Sequence, residues 1–152
     1  MAQGTINLML AKSWDQDKHN PKGWLMSEKL DGVRCFWDGA NMYSRAGHEF
    51  HPPKWFKNIL PQNVALDGEL WTKRDDWATS VSIVRKKVGD AEEWKQIFFV
   101  VYDAPLIDAK FSIRLKALHR GLLLSRQKLG RKLPMLGQLA KKHIVIHEQT
   151  AC

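Results

Sequence analysis

Short runs of strand-forming residues, separated by turn residues, dominate the hydrophobic pattern of the chain. Residues 33–37 (VRCFW) and 41–45 (NMYSR) flank the turn 38–40 (DGA), and Asp-Gly between two such runs is a strong signal for a β-hairpin. Residues 64–71 (VALDGELW) and 96–105 (QIFFVVYDAP) predict two further strands. Because the second of these is apolar throughout its middle, we expect it at the centre of a sheet.

The remaining pattern predicts two more strands and two helices. Residues 23–30 (GWLMSEKL) predict a strand that leads into the region of Lys29, and residues 143–149 (HIVIHEQ) predict a last one. A short helix is predicted over 53–60 with proline in its first turn, and a longer one over 110–129 with apolar residues at helical spacing. Gly130 and Pro134 are expected to end the longer helix. Strands joined by short turns favour an α+β fold built on an antiparallel sheet.

Length and charge place limits on the function. A chain of 152 residues is most simply one domain. Its net charge of +8 suits a polyanionic partner such as nucleic acid, although a basic protein without such a partner has the same composition. Ten of the basic residues lie in the last third of the chain: Lys110, Arg114, Lys116, Arg120, Arg126, Lys128, Arg131, Lys132, Lys141 and Lys142.

Cysteine usage and the N-terminal segment indicate an intracellular protein. Two cysteines, Cys35 and Cys152, do not make a disulfide framework and lack the spacing of a zinc site. The first 20 residues do not resemble a signal peptide, and no run approaches membrane-spanning length. We therefore expect a cytoplasmic or nuclear protein without a membrane partner.

The stretch 27–39 (SEKLDGVRCFWDG) contains a candidate nucleophile, Lys29. A lysine amine attacks phosphorus only when burial or a neighbouring cation destabilises its charged form, and apolar neighbours such as Leu30 could bury it. Arg34 could bind a phosphate through its planar guanidinium. The alternative interpretation is a surface turn that leads into a strand.

A second candidate group is Glu69, within the strand predicted over 64–71. Burying a carboxylate alone is costly, so Glu69 needs a hydrogen-bond partner, an arginine, a sugar or a metal ion. Magnesium is the natural partner of carboxylates that lie beside phosphates.

Four stretches together resemble a known superfamily. The stretch EKLDGVR resembles motif I of the covalent nucleotidyltransferases, which have a Lys-x-Asp-Gly motif. SRAGHEF resembles the following motif of ATP-dependent DNA ligases, LDGELW resembles motif III and FFVVYDAP resembles motif IIIa. The four occur in family order, and residues 8–125 look most similar to the minimal ATP-dependent DNA ligases of bacteria. The resemblance implies an antiparallel adenylation domain that uses ATP and Mg²⁺.

The resemblance also implies a role for each matching residue. Lys29 would attack the α-phosphate of ATP and carry AMP before its transfer to nicked double-stranded DNA. The other implied nucleotide contacts are Ser27, Glu28, Asp31, Arg34, Arg45, Glu69 and Tyr102. Glu69 would also bind the metal ion, and Tyr102 would stack on adenine. Arg34 and Arg45 would contact the nick phosphate. Apart from the resemblance, the clustered cations around Arg85 predict a contact with the DNA backbone.

The sequence departs from the family at its end. The Glu-Gly motif IV, the Lys-x-Lys motif V and the DNA-clamping OB-fold domain of the ligases have no counterpart in residues 1–152. We therefore expect a single partial adenylation domain, incomplete at its C-terminus, with the missing motifs supplied by a further segment or a partner chain. Sealing of nicks by this chain alone is in doubt for the same reason.

Alternatives to the ligase interpretation stay open at this stage. An RNA ligase or capping-type nucleotidyltransferase shares motif I, and a ligase remnant could bind ATP or DNA without transferring AMP. Arg34, Arg45 and Glu69 could also form ordinary salt bridges, and Tyr102 could be a core residue. Arg85 could lie on a solvated helix face.

Overall fold

In the computed structural model, short strands and three helices follow one another along the chain. The structure describes residues 8–10, 15–88, 91–129 and 144–147. The strands are β1 (Leu25–Glu28), β2 (Val33–Trp37), β3 (Met42–Tyr43), β4 (Glu49–Phe50), β5 (Leu66–Trp71), β6 (Phe98–Asp103) and β7 (Ile144–His147). The helices are α1 (Lys54–Asn58), α2 (Trp77–Val84) and α3 (Phe111–Leu129), with a 3₁₀ helix at Glu93–Gln96.

The described strands form two antiparallel sheets, which confirms the α+β prediction. Five strands pair in the order β4-β3-β2-β5-β6, and β1 pairs with β7 in a separate two-stranded sheet. The expectation that residues 96–105 form a central strand is wrong, because β6 lies at one end of the five-stranded sheet and β2 at its centre. The apolar run reflects burial of both faces of β6, since Phe99, Val100 and Val101 are all buried.

The hairpin predicted at 38–40 joins β2 to β3. Gly39 has a φ of 102°, a left-handed conformation that glycine adopts without steric cost. The Asp38 carboxylate accepts hydrogen bonds from the backbone N–H groups of Ala40 (2.8 Å) and Asn41 (2.7 Å), which holds the turn closed. Strand β3 is only two residues long, shorter than the predicted run 41–45.

One face of the five-stranded sheet packs on the main hydrophobic core. Because side chains alternate along a strand, the core face of β2 presents Cys35 and Trp37, both fully buried. Leu70 on β5 and Phe99 on β6 continue this face across the sheet. Trp94 of the 3₁₀ helix is buried in the same cluster.

The opposite face of the sheet presents polar side chains. Arg34 lies directly across from Glu69, and Phe36 lies across from Asp67 in the pairing of β2 with β5. Tyr102 on β6 has its ring centroid 5.8 Å from the guanidinium carbon of Arg34, so it faces the same side. Three adjacent strands therefore bring polar side chains together on one face, with the charged ones on β2 and β5.

Helix α3 is attached to the end of β6 by a buried ion pair. Arg114 donates to both carboxylate oxygens of Asp103 (2.7 and 3.0 Å) and to the backbone carbonyl of Ala109 (2.6 Å). Both partners are almost fully buried. Arg114, one of the ten basic residues in the last third, is thus a structural residue and not an exposed cation. The helix end predicted at Gly130 and Pro134 lies outside the described residues.

Within the part of the chain that the structure describes, no helix combines the length and the apolar character that crossing a membrane requires.

Gly68 sits where no side chain fits, at the contact of β5 with β6. A Cβ there would lie 2.6 Å from the Val100 carbonyl oxygen, 2.7 Å from Phe99 Cε2 and 3.0 Å from Val101 Cα. Gly68→Ala should therefore lower the free energy of unfolding by about 2 kcal/mol, as overpacking does in other cores. Urea denaturation measures this.

The matched control for Gly68→Ala is Gly121→Ala in helix α3. A Cβ at Gly121 meets nothing within 4 Å, and alanine favours the helix over glycine by about 1 kcal/mol. Equal midpoints for the two variants would contradict the steric argument.

Candidate active site at the sheet junction

Lys29 follows β1 directly and begins the loop that connects β1 to β2. Its side chain is exposed, so the prediction that apolar neighbours bury the amine is wrong. Leu30 points inward instead and packs with Trp71 and Val100 in a small buried cluster. The loop is therefore anchored by Leu30, while Lys29 is presented to solvent and to ligands.

Glu69 on β5 is the acidic group that faces this loop. The backbone N–H of Gly32 donates a hydrogen bond to its carboxylate. A Cβ at Gly32 would lie 2.9 Å from Glu69 Cγ and 2.5 Å from the Leu70 carbonyl oxygen, so only glycine lets the loop come this close. Burial raises the pKa of Glu69 to about 7, and the positive charge of Lys29 opposes part of that rise.

Arg34 lies on the polar face of the five-stranded sheet, together with Asp67, Glu69 and Tyr102. It donates from Nε (3.1 Å) and Nη2 (2.7 Å) to the two oxygens of Asp67, and from Nη2 to the Met9 backbone carbonyl (2.6 Å). Burial raises the pKa of Asp67, although the Arg34 guanidinium opposes this shift. Burial likewise raises the pKa of Tyr102. Arg34 is therefore held rigidly beside Tyr102 and Glu69.

Glu28 is the buried neighbour of Lys29. Its two carboxylate oxygens accept hydrogen bonds from Nε and Nη2 of Arg74, both at 2.9 Å. Arg74 lies in the loop that follows β5, 46 positions further along the chain. Glu28 was predicted to bind the nucleotide; in the structure its carboxylate is paired with Arg74.

The other predicted residues lie on the surface. Asp31 is exposed in the loop after Lys29, and Ser27 precedes Glu28 on β1. Arg45 is exposed in the turn between β3 and β4, and Arg85 is exposed at the C-terminal end of α2. The structure places Lys29 within electrostatic reach of Glu69, whereas it leaves Arg45 and Arg85 open to solvent.

The described residues do not contain a preformed metal centre. Among them, no three side chains of His, Cys, Asp or Glu are grouped so that they could hold a metal ion. Glu69 supplies one carboxylate to the site, and the nearby Asp67 carboxylate is paired with Arg34. Magnesium commonly needs only one or two carboxylates when phosphate oxygens and water complete its shell, so Glu69 fits that use.

Sequence reasoning missed the partners that hold the predicted residues. Asp67 could have been found, because a period of two along β5 places it on the same face as Glu69. Arg74 and the Met9 carbonyl carried no signal, since their roles depend on the fold bringing distant segments together.

No protein-family model matches the chain. A curated DNA ligase from Haemophilus influenzae is 36% identical over 102 residues, which are 67% of this chain and 37% of that protein. A solved structure from a structure–function analysis of Lig E DNA ligases superimposes with a TM-score of 0.78 at 26% identity, covering 95% of this chain and 62% of that one. The ATP-dependent DNA ligase of bacteriophage T7, solved in complex with ATP, has the same fold at 20% identity, with a TM-score of 0.56 and coverage of 90% of this chain and 55% of its own.

These likenesses define the class of protein and, within that class, the family. The antiparallel fold with a lysine loop between β1 and β2 is that of a nucleotidyltransferase domain. Within that class, the chain belongs to the ATP-dependent DNA ligases and corresponds to their adenylation domain. The alignment spans little more than a third of the curated relative.

Proposed function

We propose that the chain transfers AMP from ATP to Lys29, as the first step of sealing nicks in double-stranded DNA. The observation that carries this proposal is the position of Lys29, exposed just after β1 and within electrostatic reach of the partly buried Glu69. An exposed lysine beside one partly buried carboxylate, on an anchored loop, is suited to attack a bound phosphate by positioning.

In the proposed step the neutral Lys29 amine attacks the α-phosphorus of ATP. A bond forms between Nζ and phosphorus, the bond from that phosphorus to the bridging oxygen breaks, and pyrophosphate leaves with the electron pair. The nitrogen loses one proton to solvent or to the leaving group. The product is a phosphoramidate, which would then pass AMP to a 5′-phosphate of DNA.

The polar face of the sheet would hold the nucleotide. Arg34 and Arg45 are the predicted cationic contacts, and Glu69 the predicted ribose contact. Tyr102 would stack on the base, although its ring now faces the Arg34 guanidinium. Glu28 and Asp31 remain predicted contacts through the segment that carries Lys29. Because Arg34 is already fixed by Asp67, its orientation costs little on binding.

Magnesium would be held by Glu69 together with phosphate oxygens of ATP. Bound there, the ion would reduce the negative charge of the phosphates and so favour attack by an amine. Glu69 could take this role because its carboxylate is bonded to the backbone N–H of Gly32 and is not paired with an arginine in the described contacts.

Nicked duplex DNA would contact exposed cations of the chain. Arg45 and Arg85 are exposed, and the net charge of +8 favours phosphate backbones. Roles in DNA repair, recombination and replication would follow from nick sealing. Since the chain aligns with 37% of the curated relative, further segments or a partner chain would complete the later steps.

The proposed function is tested by intact mass after incubation with ATP and magnesium. The parent protein should gain one adenylyl group, which hydroxylamine or acid then removes, as expected of a phosphoramidate. Lys29→Ala should gain none, because the attacking nitrogen is gone. Lys54→Ala, which removes an exposed lysine of α1, should be adenylated like the parent.

Other outcomes separate the alternatives. ATP binding without an adduct in the parent would contradict the proposal and favour a non-catalytic, nucleotide-binding remnant. With an adduct formed, a nicked DNA duplex and a nicked RNA duplex offered in parallel would separate a DNA ligase from an RNA ligase, and an adduct formed from GTP alone would favour a capping-type enzyme.

A further inference from the structure

The described segment 8–10 packs on the polar face of the five-stranded sheet and contacts Arg34. Leu8 is 5% exposed and belongs to a small buried cluster with Phe36, separate from the main core. Phe36 lies two positions after Arg34 on β2, so both side chains point to the same face. The residue after Leu8, Met9, places its backbone carbonyl oxygen 2.6 Å from Nη2 of Arg34. Leu8 therefore anchors the segment whose carbonyl meets the guanidinium.

Two segments that are distant in sequence share the donors of the Arg34 guanidinium, which carries five N–H groups in one plane. The Asp67 carboxylate accepts from Nε and Nη2, and the Met9 carbonyl accepts a second bond from Nη2. Nη1 is left as the nitrogen without a hydrogen-bond partner among the described residues. The side chain is 21% exposed, so a ligand can still reach it. An arginine held by two segments has little rotamer freedom left to lose when it binds a phosphate.

We propose that Leu8 is a positioning residue for Arg34: it anchors segment 8–10 so that the Met9 carbonyl holds Nη2 and the guanidinium offers Nη1 to a phosphate oxygen. The proposal rests on the proposed function in that Arg34 is a predicted contact of ATP and of the nick phosphate. Leu8 need not touch either ligand, because it acts through the backbone of the next residue.

The first test of the proposal needs no ligand. Phenylglyoxal modifies arginine through its two terminal nitrogens, and the Met9 carbonyl occupies one of them, Nη2. Peptide mass spectrometry gives the modification rate of Arg34, with the exposed Arg45 of the same protein as the internal reference. Leu8→Ala should raise the rate at Arg34 relative to Arg45 by about 5-fold, the factor that corresponds to one hydrogen bond of ordinary net strength.

Three further variants serve as controls for Leu8→Ala. Leu8→Met nearly keeps the side-chain volume and should keep the parent rate. Leu10→Ala changes a leucine of the same segment that is 59% exposed, and it should match the parent. Leu118→Ala removes a leucine of similar burial from the main core, so it should lower stability towards urea without changing the rate at Arg34.

The second test determines which phosphate Arg34 binds. Affinity is measured without ATP for two nicked duplexes, one with a 5′-phosphate and one with a 5′-hydroxyl at the nick, and separately for ATP without magnesium. Leu8→Ala should reduce the preference for the 5′-phosphate by about 5-fold if Arg34 binds the nick, or raise the Kd for ATP by about 5-fold if it binds the nucleotide. In the background Arg34→Met/Asp67→Asn, which leaves neither partner of this ion pair alone, Leu8→Ala should change neither affinity.

An unchanged modification rate of Arg34 in Leu8→Ala would overturn the proposal, and so would unchanged affinity for both phosphates. Tighter phosphate binding by Leu8→Ala would also overturn it, because the Met9 carbonyl would then block Arg34 instead of holding it. Failure of the proposed function has a different signature: the parent then forms no adduct with ATP, while the phenylglyoxal rate still decides the role of Leu8. Circular dichroism of each variant separates misfolding from a local change at Arg34.

Discussion

Glu69→Gln should make the ligand-free protein more stable at pH 8 and lower the rate of adenylation by about 100-fold, the size of effect seen when one group that stabilises a transition state is removed from an active site. Glu69 is held by the Gly32 N–H, and a Gln side chain keeps that hydrogen bond. It removes the charge that is costly to bury, and it also removes the group proposed to hold ribose or magnesium.

The sign of the stability change follows from proton binding. The pKa of Glu69 is raised from 4.5 to about 7 in the folded protein. Between these values the folded state holds a proton that the unfolded state has lost, so the contribution of Glu69 to stability falls as pH rises from about 4.5 to above 7. At about 1.4 kcal/mol per pKa unit, the full loss is on the order of 3 kcal/mol, an upper value for a side chain with some solvent contact.

Urea denaturation of the parent and of Glu69→Gln at pH 4.5, 6, 7 and 8 measures this effect. The difference between the two free energies of unfolding should be near zero at pH 4.5 and grow in favour of the variant up to pH 8. Glu49→Gln, at an exposed glutamate of β4, should stay within about 0.5 kcal/mol of the parent, as surface substitutions do. A variant that loses stability at pH 8 would contradict burial as the cause of the raised pKa of Glu69.

Arg114→Met should lower the free energy of unfolding by about 3 to 5 kcal/mol, the usual cost of leaving one partner of a buried ion pair alone. The Asp103 carboxylate, 1% exposed, would keep one hydrogen bond within the described contacts, from the Ala104 N–H. Helix α3 would also lose its link to the end of β6, next to Tyr102.

Thermal and urea unfolding of three variants isolate the ion pair. Asp103→Asn/Arg114→Met should be more stable than Arg114→Met alone, because no unpaired charge remains buried. Lys116→Met, two positions away on an exposed part of α3, should stay within about 0.5 kcal/mol of the parent, as surface substitutions do. If the single and double variants unfold at the same urea concentration, the charge of Asp103 is not what destabilises the single variant. Should Arg114→Met fail to fold, Arg114→Lys supplies the comparison.

Strands and their pairing could be predicted from local patterns where turn chemistry is explicit. The hairpin at 38–40 forms as expected because Asp38 and Gly39 satisfy a tight turn within their own segment. The position of β6 could not be predicted in the same way. An apolar sequence indicates that a strand is buried on both faces, and this can happen at the centre or at the end of a sheet. The position in the sheet depends on which other strands pair with it, and the local sequence does not carry that information.

For the candidate site, motif spacing predicted which residues matter but not how they are held. Glu69 was expected to need a partner, and the structure supplies the Gly32 N–H and the Lys29 charge. Lys29 is exposed, whereas the sequence predicted that apolar neighbours bury it. Because side chains alternate along a strand, Glu28 points inward and the next residue, Lys29, is left at the surface. Partners such as Arg74 come from distant segments, and nothing in the local sequence signals them.

The strand that precedes Lys29 has its only described strand partner, β7, near the far end of the chain. During synthesis, all of β2 to β6 emerge from the ribosome before Ile144–His147 does. The five-stranded sheet and its polar face can therefore form while β1 still lacks its neighbour. The pairing of β1 would be completed last, so a nascent chain would form the polar face before Lys29, the proposed nucleophile, follows a paired strand.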